Sequence, residues 1–113
     1  MLYYVLFCHW VADFVCQHPW MATNKHHSGK ALLAHVLTYT TVLMCMIIPF
    51  TEMNFNFVFF VLANGACHLA VDSVTSKITA NLWQRESKWA FFCMIGFDQF
   101  LHTAFLMLTL QGL

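Results

Sequence analysis

The chain has 113 residues, of which 60% are hydrophobic, 17% aromatic and only 9% charged, against roughly 25% charged in an ordinary soluble domain. That composition excludes a conventional cytosolic enzyme, and the length suits one membrane bundle with no second domain. Five basic residues balance five acidic ones, so no basic field exists to hold DNA or RNA, and no nucleic-acid partner is expected.

Four apolar segments follow one another: residues 2–17, 30–50, 55–79 and 88–110. Each is too long for a strand of a small sheet and lacks two-residue alternation, so all four predict helices. The fold expected is an all-α, polytopic membrane four-helix bundle forming a single domain over residues 1–113. The first segment is short for a bilayer, and local thinning or an interfacial Trp20 would have to accommodate it. It lacks a basic leader and carries His9 and Asp13, unlike a cleaved signal peptide.

The connection from His18 to Gly29 is polar and expected at the headgroup level. Pro49 with residues 51–54 makes the second turn, and Asn81 to Ser87 the third. Lys25 and Lys30 flank the first connection, and Lys77, Arg85 and Lys88 flank the third, whereas the second has only Glu52. By the positive-inside rule the basic side is cytoplasmic, with both termini outside. The five cysteines, Cys8, Cys16, Cys45, Cys67 and Cys93, are scattered and form no C-x-x-C, so they read as packing residues.

The chemistry lies in the three aspartates, all inside apolar helices, where an uncompensated charge costs at least about 2.5 kcal/mol. Each sits four residues from a histidine: His9 with Asp13, His68 with Asp72, and Asp98 with His102. That spacing puts both members on one helix face, one turn apart. The first and third helices read His then Asp and the fourth, running oppositely, reads Asp then His. All three pairs therefore stack alike, with Asp nearer the basic side. His35 on the second helix lies at a matching depth, so seven polar side chains from four helices are expected to share one pocket. The recurrence of His-x-x-x-Asp on the first and third helices also hints at two parallel hairpins.

Imidazole and carboxylate together in a bundle core suit a divalent metal, zinc foremost, with manganese or iron as alternatives. Seven candidates, His9, Asp13, His35, His68, Asp72, Asp98 and His102, exceed the four ligands of a structural zinc. They imply either two ions or some residues that orient the ligands. A metal that acidifies water suits hydrolysis of an ester, amide or phosphodiester at the lipid surface, with Asp13 or Asp98 as general base. Gln17, four residues beyond Asp13, and Lys77, five beyond Asp72, are candidates to hold the substrate, their alternative being ordinary interfacial residues. Gln99 is placed to face a neighbouring helix, and Asn64, one turn before His68, to orient a ligand or join helices. His18, His26 and His27 read as headgroup-facing loop residues.

Two other readings use the same residues. A metal-free hydrogen-bond network would specify helix packing in a membrane interaction or assembly protein, and a proton or ion conductor would need a polar path to the outer face. Haem ligation fits poorly, because an Asp one turn away puts charge where a macrocycle needs apolar walls.

The ordered set His9-x-x-x-Asp13-Phe14-x-x-Gln17, Trp20-Met21-Ala22-x-Asn24-Lys25, Lys30-Ala31-Leu32-Leu33-x-His35, His68-x-x-x-Asp72-x-x-x-x-Lys77 and Asp98-Gln99-x-x-His102 resembles the bacterial and phage membrane-protein family of domain of unknown function 3307. The resemblance spans nearly the whole chain. It implies a small polytopic protein with these His and Asp positions as its signature, and it supplies no established reaction. A looser analogy links it to bacterial inner-membrane proteins described as metal-dependent hydrolases. The expectation is therefore an inner-membrane protein carrying one or two metal ions and acting on a lipid or membrane-associated substrate. Membrane lipids are its partners, and copies of the chain are candidates to associate.

Overall fold

The computed structural model describes all 113 residues. It is all helical: α1 (Leu2–Trp10) continues into a π-helical turn (Val11–Val15), then come α2 (Pro19–Asn24), α3 (Gly29–Ile47), a 3-10 turn (Ile48–Phe50), α4 (Phe55–Gln84) and α5 (Lys88–Leu110). The four long elements run alternately up and down. Met1, Phe50, Glu52 and Leu113 meet at one end, and Gln17, Lys25 and Gln84 at the other.

Local chemistry sets the boundaries. Pro19 confines His18 to an extended backbone (φ −64°, ψ 142°), which stops the first helix, and His18 Nδ1 then accepts from Trp20 N–H at 3.1 Å to cap α2. Ser28 Oγ caps α3 through Ala31 N–H at 3.3 Å, and Asn54 Oδ1 caps α4 through Phe57 N–H at 3.0 Å. Helix α4 ends where Glu86 takes a left-handed conformation, φ 58°. Glu86 N–H then donates to the Trp83 carbonyl and Ser87 N–H to the Leu82 carbonyl, a Schellman closure with glutamate where glycine is usual.

Three helices, α3 with its 3-10 extension, α4 and α5, are long and apolar enough to cross a membrane. Two expectations change here. The first segment is a helix of 9 residues plus a π turn of 5, about 21 Å long at 1.5 Å per residue, against a hydrocarbon thickness of about 30 Å; the polar run Gln17-His18-Pro19 cuts it off. The third segment extends to Gln84, 30 residues in all, because nothing between Thr79 and Gln84 breaks a helix, so the third connection shrinks to Arg85–Ser87. The first connection also contains α2, nucleated by Pro19 at its N-terminus.

An apolar core of Val5, Cys8, Ala12, Tyr39, Leu43, Ile47, Phe57, Phe60, Val61 and Leu106 fills the half toward the chain termini. At the crossing of α3 and α4, the Cα of Gly65 comes so close to Thr40 that a Cβ there would lie 2.5 Å from Thr40 Oγ1. Further along, Asn64 Nδ2 joins α4 to α5 by donating to Thr109 Oγ1 at 2.9 Å. These contacts hold α3, α4 and α5 in register beside the buried polar residues.

Candidate metal centre

The helices bring the three His/Asp pairs and His35 into one cluster. His35 and His68 are fully buried, and Asp72, His9, His102 and Asp13 are exposed by only 1–4%. At its heart are four atoms from four different residues. His35 Nε2 and His68 Nε2 are 2.9 Å apart. Asp13 Oδ1 lies 3.1 and 3.2 Å from them, and Asp72 Oδ2 lies 3.2 and 3.5 Å from them. Nitrogen and oxygen ligands at about 2.0–2.1 Å from a tetrahedral ion stand about 3.3 Å from one another. These five separations bracket that edge length, so an ion would fit against His35, His68 and either carboxylate with little rearrangement.

Around this set lies a second layer. His102 Nε2 is 3.1 Å from Asp72 Oδ1 and 3.4 Å from Asp98 Oδ2. Thr75 Oγ1 donates to Asp98 Oδ1 at 2.5 Å, and Gln99 Nε2 donates to Asp13 Oδ2 at 2.8 Å and to Asp98 Oδ2 at 3.1 Å. Three overlapping groups, Asp13 with His35 and His68, His68 with Asp72 and His102, and Asp13 with Asp98 and His102, each have one ligand atom per residue within 4.8 Å of the others. The rings are held by stacking: Tyr39 on His68 with centroids 4.0 Å apart, and His68 on His102 at 4.2 Å.

His9 stands apart from these groups. Its Nδ1 meets Tyr39 Oη at 3.1 Å and its Nε2 meets Gln99 Oε1 at 3.0 Å, while Asp13 Oδ2 is 3.9 Å away. Both ring nitrogens are therefore engaged, so His9 orients Gln99 and Tyr39 rather than facing the central space. The π turn explains why a His/Asp pair at four-residue spacing diverges: Asp13 lies within it, and the widened turn swings its carboxylate toward α3 and α4. Such turns recur at functional sites.

A cavity of about 680 Å³ opens beside the cluster, between the first helix with α2 and the paired α4 and α5. Asp13, Asp98, Gln99 and Thr75 form part of its wall, and Gln17 lines it too. Asp98 is the most accessible of the three carboxylates, its side chain 14% exposed against 5% for Asp13 and 2% for Asp72. Lys77 is exposed and outside the cavity, because it lies five residues after Asp72 and so points off the buried face of α4.

Lysine does enter the site, from elsewhere. Lys25, at the end of α2, reaches back to place Nζ 2.8 Å from Asp72 Oδ2. Sequence periodicity gives no warning of a residue reaching in from a connection. Tyr39 could have been found, since it is one turn beyond His35 on the same face, and Thr75 likewise lies three residues beyond Asp72. Asn64 joins helices through Thr109, and its side-chain amide donates to Thr109 and to the Phe60 carbonyl rather than to a cluster residue. His26 and His27 contact each other at 3.1 Å, and His26 lines the cavity.

With neutral imidazoles, three carboxylates and one ammonium leave two negative charges uncompensated in a buried space. That imbalance, with the four-atom geometry, is what a divalent cation would relieve.

The model of the family described as "Protein of unknown function (DUF3307)" matches residues 1–113. The chain belongs to that family. No curated protein and no solved structure matches it. Membership in the DUF3307 family thus fixes kinship without fixing chemistry, and the geometry must carry the functional argument.

Proposed function

We propose that this protein is a membrane-embedded, divalent-metal-dependent hydrolase acting on a lipid or membrane-associated substrate. The observation that carries the proposal is the close approach of His35 Nε2 and His68 Nε2 to each other and to Asp13 Oδ1 and Asp72 Oδ2, at 2.9–3.5 Å, beside a cavity that reaches Asp98 and Asp13. Zinc suits the mixed nitrogen and oxygen set best, with manganese and iron as alternatives, and His102 with Asp98 offers donors for a second ion. A bound ion would supply Lewis acidity.

Asp98 is the group placed to act on substrate: it is the most accessible carboxylate, and Thr75 and Gln99 fix its orientation. It would accept a proton from the attacking water and return it to the leaving group, an oxygen for an ester or phosphodiester and a nitrogen for an amide, as the bond breaks. Asp13 links the two layers, with one oxygen toward His35 and His68 and the other toward Gln99. The basic residues Lys25, Lys30, Arg85 and Lys88 flank the connections at the cavity end. That asymmetry supports placing this end in the cytoplasm of a bacterial inner membrane, with both termini outside.

A second, non-enzymatic reading has its own support. Each carboxylate oxygen of Asp13, Asp72 and Asp98 already has a protein partner, as a network that only joins helices would require. Ion conduction has less support, because the apolar core around Leu43, Phe60 and Leu106 fills the far half of the bundle.

Metal analysis of detergent-purified protein separates these readings. Near-stoichiometric zinc, manganese or iron is expected in the wild type, falling to background in His68→Ala/Asp72→Ala. Asp98→Asn is expected to retain an ion and to lose turnover of chromogenic ester, amide and phosphodiester probes. A wild type without metal after metal-replete expression refutes the proposal and leaves the packing network.

A further inference from the structure

The cavity beside the cluster has two unlike walls. Phe14, Phe91, Phe92 and Ile95 form an apolar side, and Phe14 and Phe92 are 44% and 64% exposed at its rim. These residues belong to apolar helices, so in a bilayer this side of the rim would face acyl chains rather than water. The opposite side carries Asp13, Asp98, Thr75 and Gln99. A molecule filling this space has a hydrocarbon part and a polar part, and it arrives from the bilayer.

Two polar atoms show what the polar part is. Ser76 lines the cavity and is only 6% exposed, and its Oγ has no hydrogen-bond partner. Gln17 Oε1, from the facing helix end, is also buried and unpartnered. Unpaired buried groups of this kind are costly, and a ligand that satisfies them recovers that cost. One is a hydroxyl able to donate, the other an acceptor. A carbonyl oxygen satisfies Ser76, and a hydroxyl satisfies Gln17.

Charge narrows the class further. Asp13 and Asp98 face the cavity, and its one lysine, Lys25, is already paired with Asp72. The other basic side chain on the wall, His26, is hydrogen-bonded to His27; a phosphate would meet the carboxylate of Asp98 with or without an ion, and that of Asp13 in the ion-free protein, whereas an uncharged head meets no such repulsion.

We propose that the cavity binds an uncharged acyl ester bearing a free hydroxyl, of monoacylglycerol type. It enters sideways from the bilayer, with its chain against Phe14, Phe92 and Ile95, its carbonyl on Ser76 Oγ and its hydroxyl on Gln17 Oε1. The inference deepens the hydrolase reading by naming its substrate class. Occupancy of the cavity nevertheless does not require the ion, so the two can fail separately.

The test uses the full-length protein in lipid nanodiscs and a monoacylglycerol with a photoreactive diazirine in its acyl chain. Labelling is expected to concentrate on peptides containing Phe14 and Phe91–Ile95, in both metal-loaded and chelator-treated protein. Excess unlabelled monoacylglycerol is expected to compete at least tenfold better than lysophosphatidylglycerol. Ser76→Ala, which removes one hydroxyl and keeps the helix, is expected to weaken competition about tenfold, and Ile95→Trp to abolish labelling by filling the space. Labelling spread evenly over lipid-facing positions such as Tyr3 and Leu108 overturns the site. Preferred competition by the anionic lipid overturns the uncharged head, and unchanged affinity in Ser76→Ala overturns the carbonyl contact. Localised labelling with no metal in the protein would keep the lipid site and refute the hydrolase.

Discussion

Replacing Gly65 with alanine tests whether helix packing sets the metal geometry. The new Cβ would lie 2.5 Å from Thr40 Oγ1 and 3.3 Å from Thr40 Cγ2, well inside contact distance. Thr40 cannot swing away freely, because its hydroxyl donates to the Val36 carbonyl at 2.8 Å and its branched Cβ restricts χ1. Helices α3 and α4 must therefore separate by about 1 Å, at a cost of about 1–3 kcal/mol for overpacking. The same two helices carry His35 and His68, whose Nε2 atoms are 2.9 Å apart, so the separation widens the space for the ion. Metal affinity, measured by competition with a chromophoric chelator, is expected to fall at least tenfold, or ~1.4 kcal/mol. Thermal unfolding in detergent is expected to move down in parallel. Thr40→Ala removes the obstructing atoms and breaks only a bond within α3, so the double variant is expected to recover both quantities. Wild-type affinity in Gly65→Ala, or no recovery in the double variant, refutes the link between this crossing and the centre.

Three further outcomes are expected. Lys25→Met removes the cation beside Asp72 Oδ2 and is expected to raise divalent-metal affinity at least about tenfold by relieving charge repulsion; weaker binding would show that Lys25 serves the ion rather than competing with it. Glu86→Gly is expected to raise unfolding stability by about 0.5–1 kcal/mol, since the left-handed backbone at φ 58° costs a residue with a Cβ about 1–2 kcal/mol, partly offset by the greater freedom of glycine when unfolded; an unchanged or lower midpoint refutes the reasoning. Asn64→Ala is expected to cost about 0.6–1.7 kcal/mol through the lost bond between α4 and α5 without changing metal stoichiometry, which separates packing from ligation.

The cluster was legible because buried charge is costly and helical spacing is regular: Asp13, Asp72 and Asp98 each demanded a partner, and a histidine stood one turn away. The all-helical fold and the bounds of α5 followed from apolar run length. Other features leave no periodic trace. Lys25 reaches the site along its own flexible stem from a connecting helix. The full length of α4 depends on Glu86 accepting a conformation that glycine usually signals. The divergence of His9 from Asp13 depends on a π turn announced by neither proline nor glycine. Lys77 shows the converse: five residues on a helix is not a return to the same face, so a charge near the site in sequence ends outside it.

The π turn at Val11–Val15 makes this part of the chain respond unequally to single-residue insertions and deletions, in a way that substitutions do not reveal. A wide turn contains one residue more than its α-helical counterpart, so deleting Val11 would let the helix close regularly with the upstream faces kept, whereas adding a residue beside it would leave nothing to absorb the excess and would rotate everything upstream by about 100°. After such an insertion Val5 and Cys8 would leave the core, and His9 would lose Tyr39 and Gln99 together. A frame-preserving insertion that looks conservative on paper would thus unfasten an entire helix from the other three.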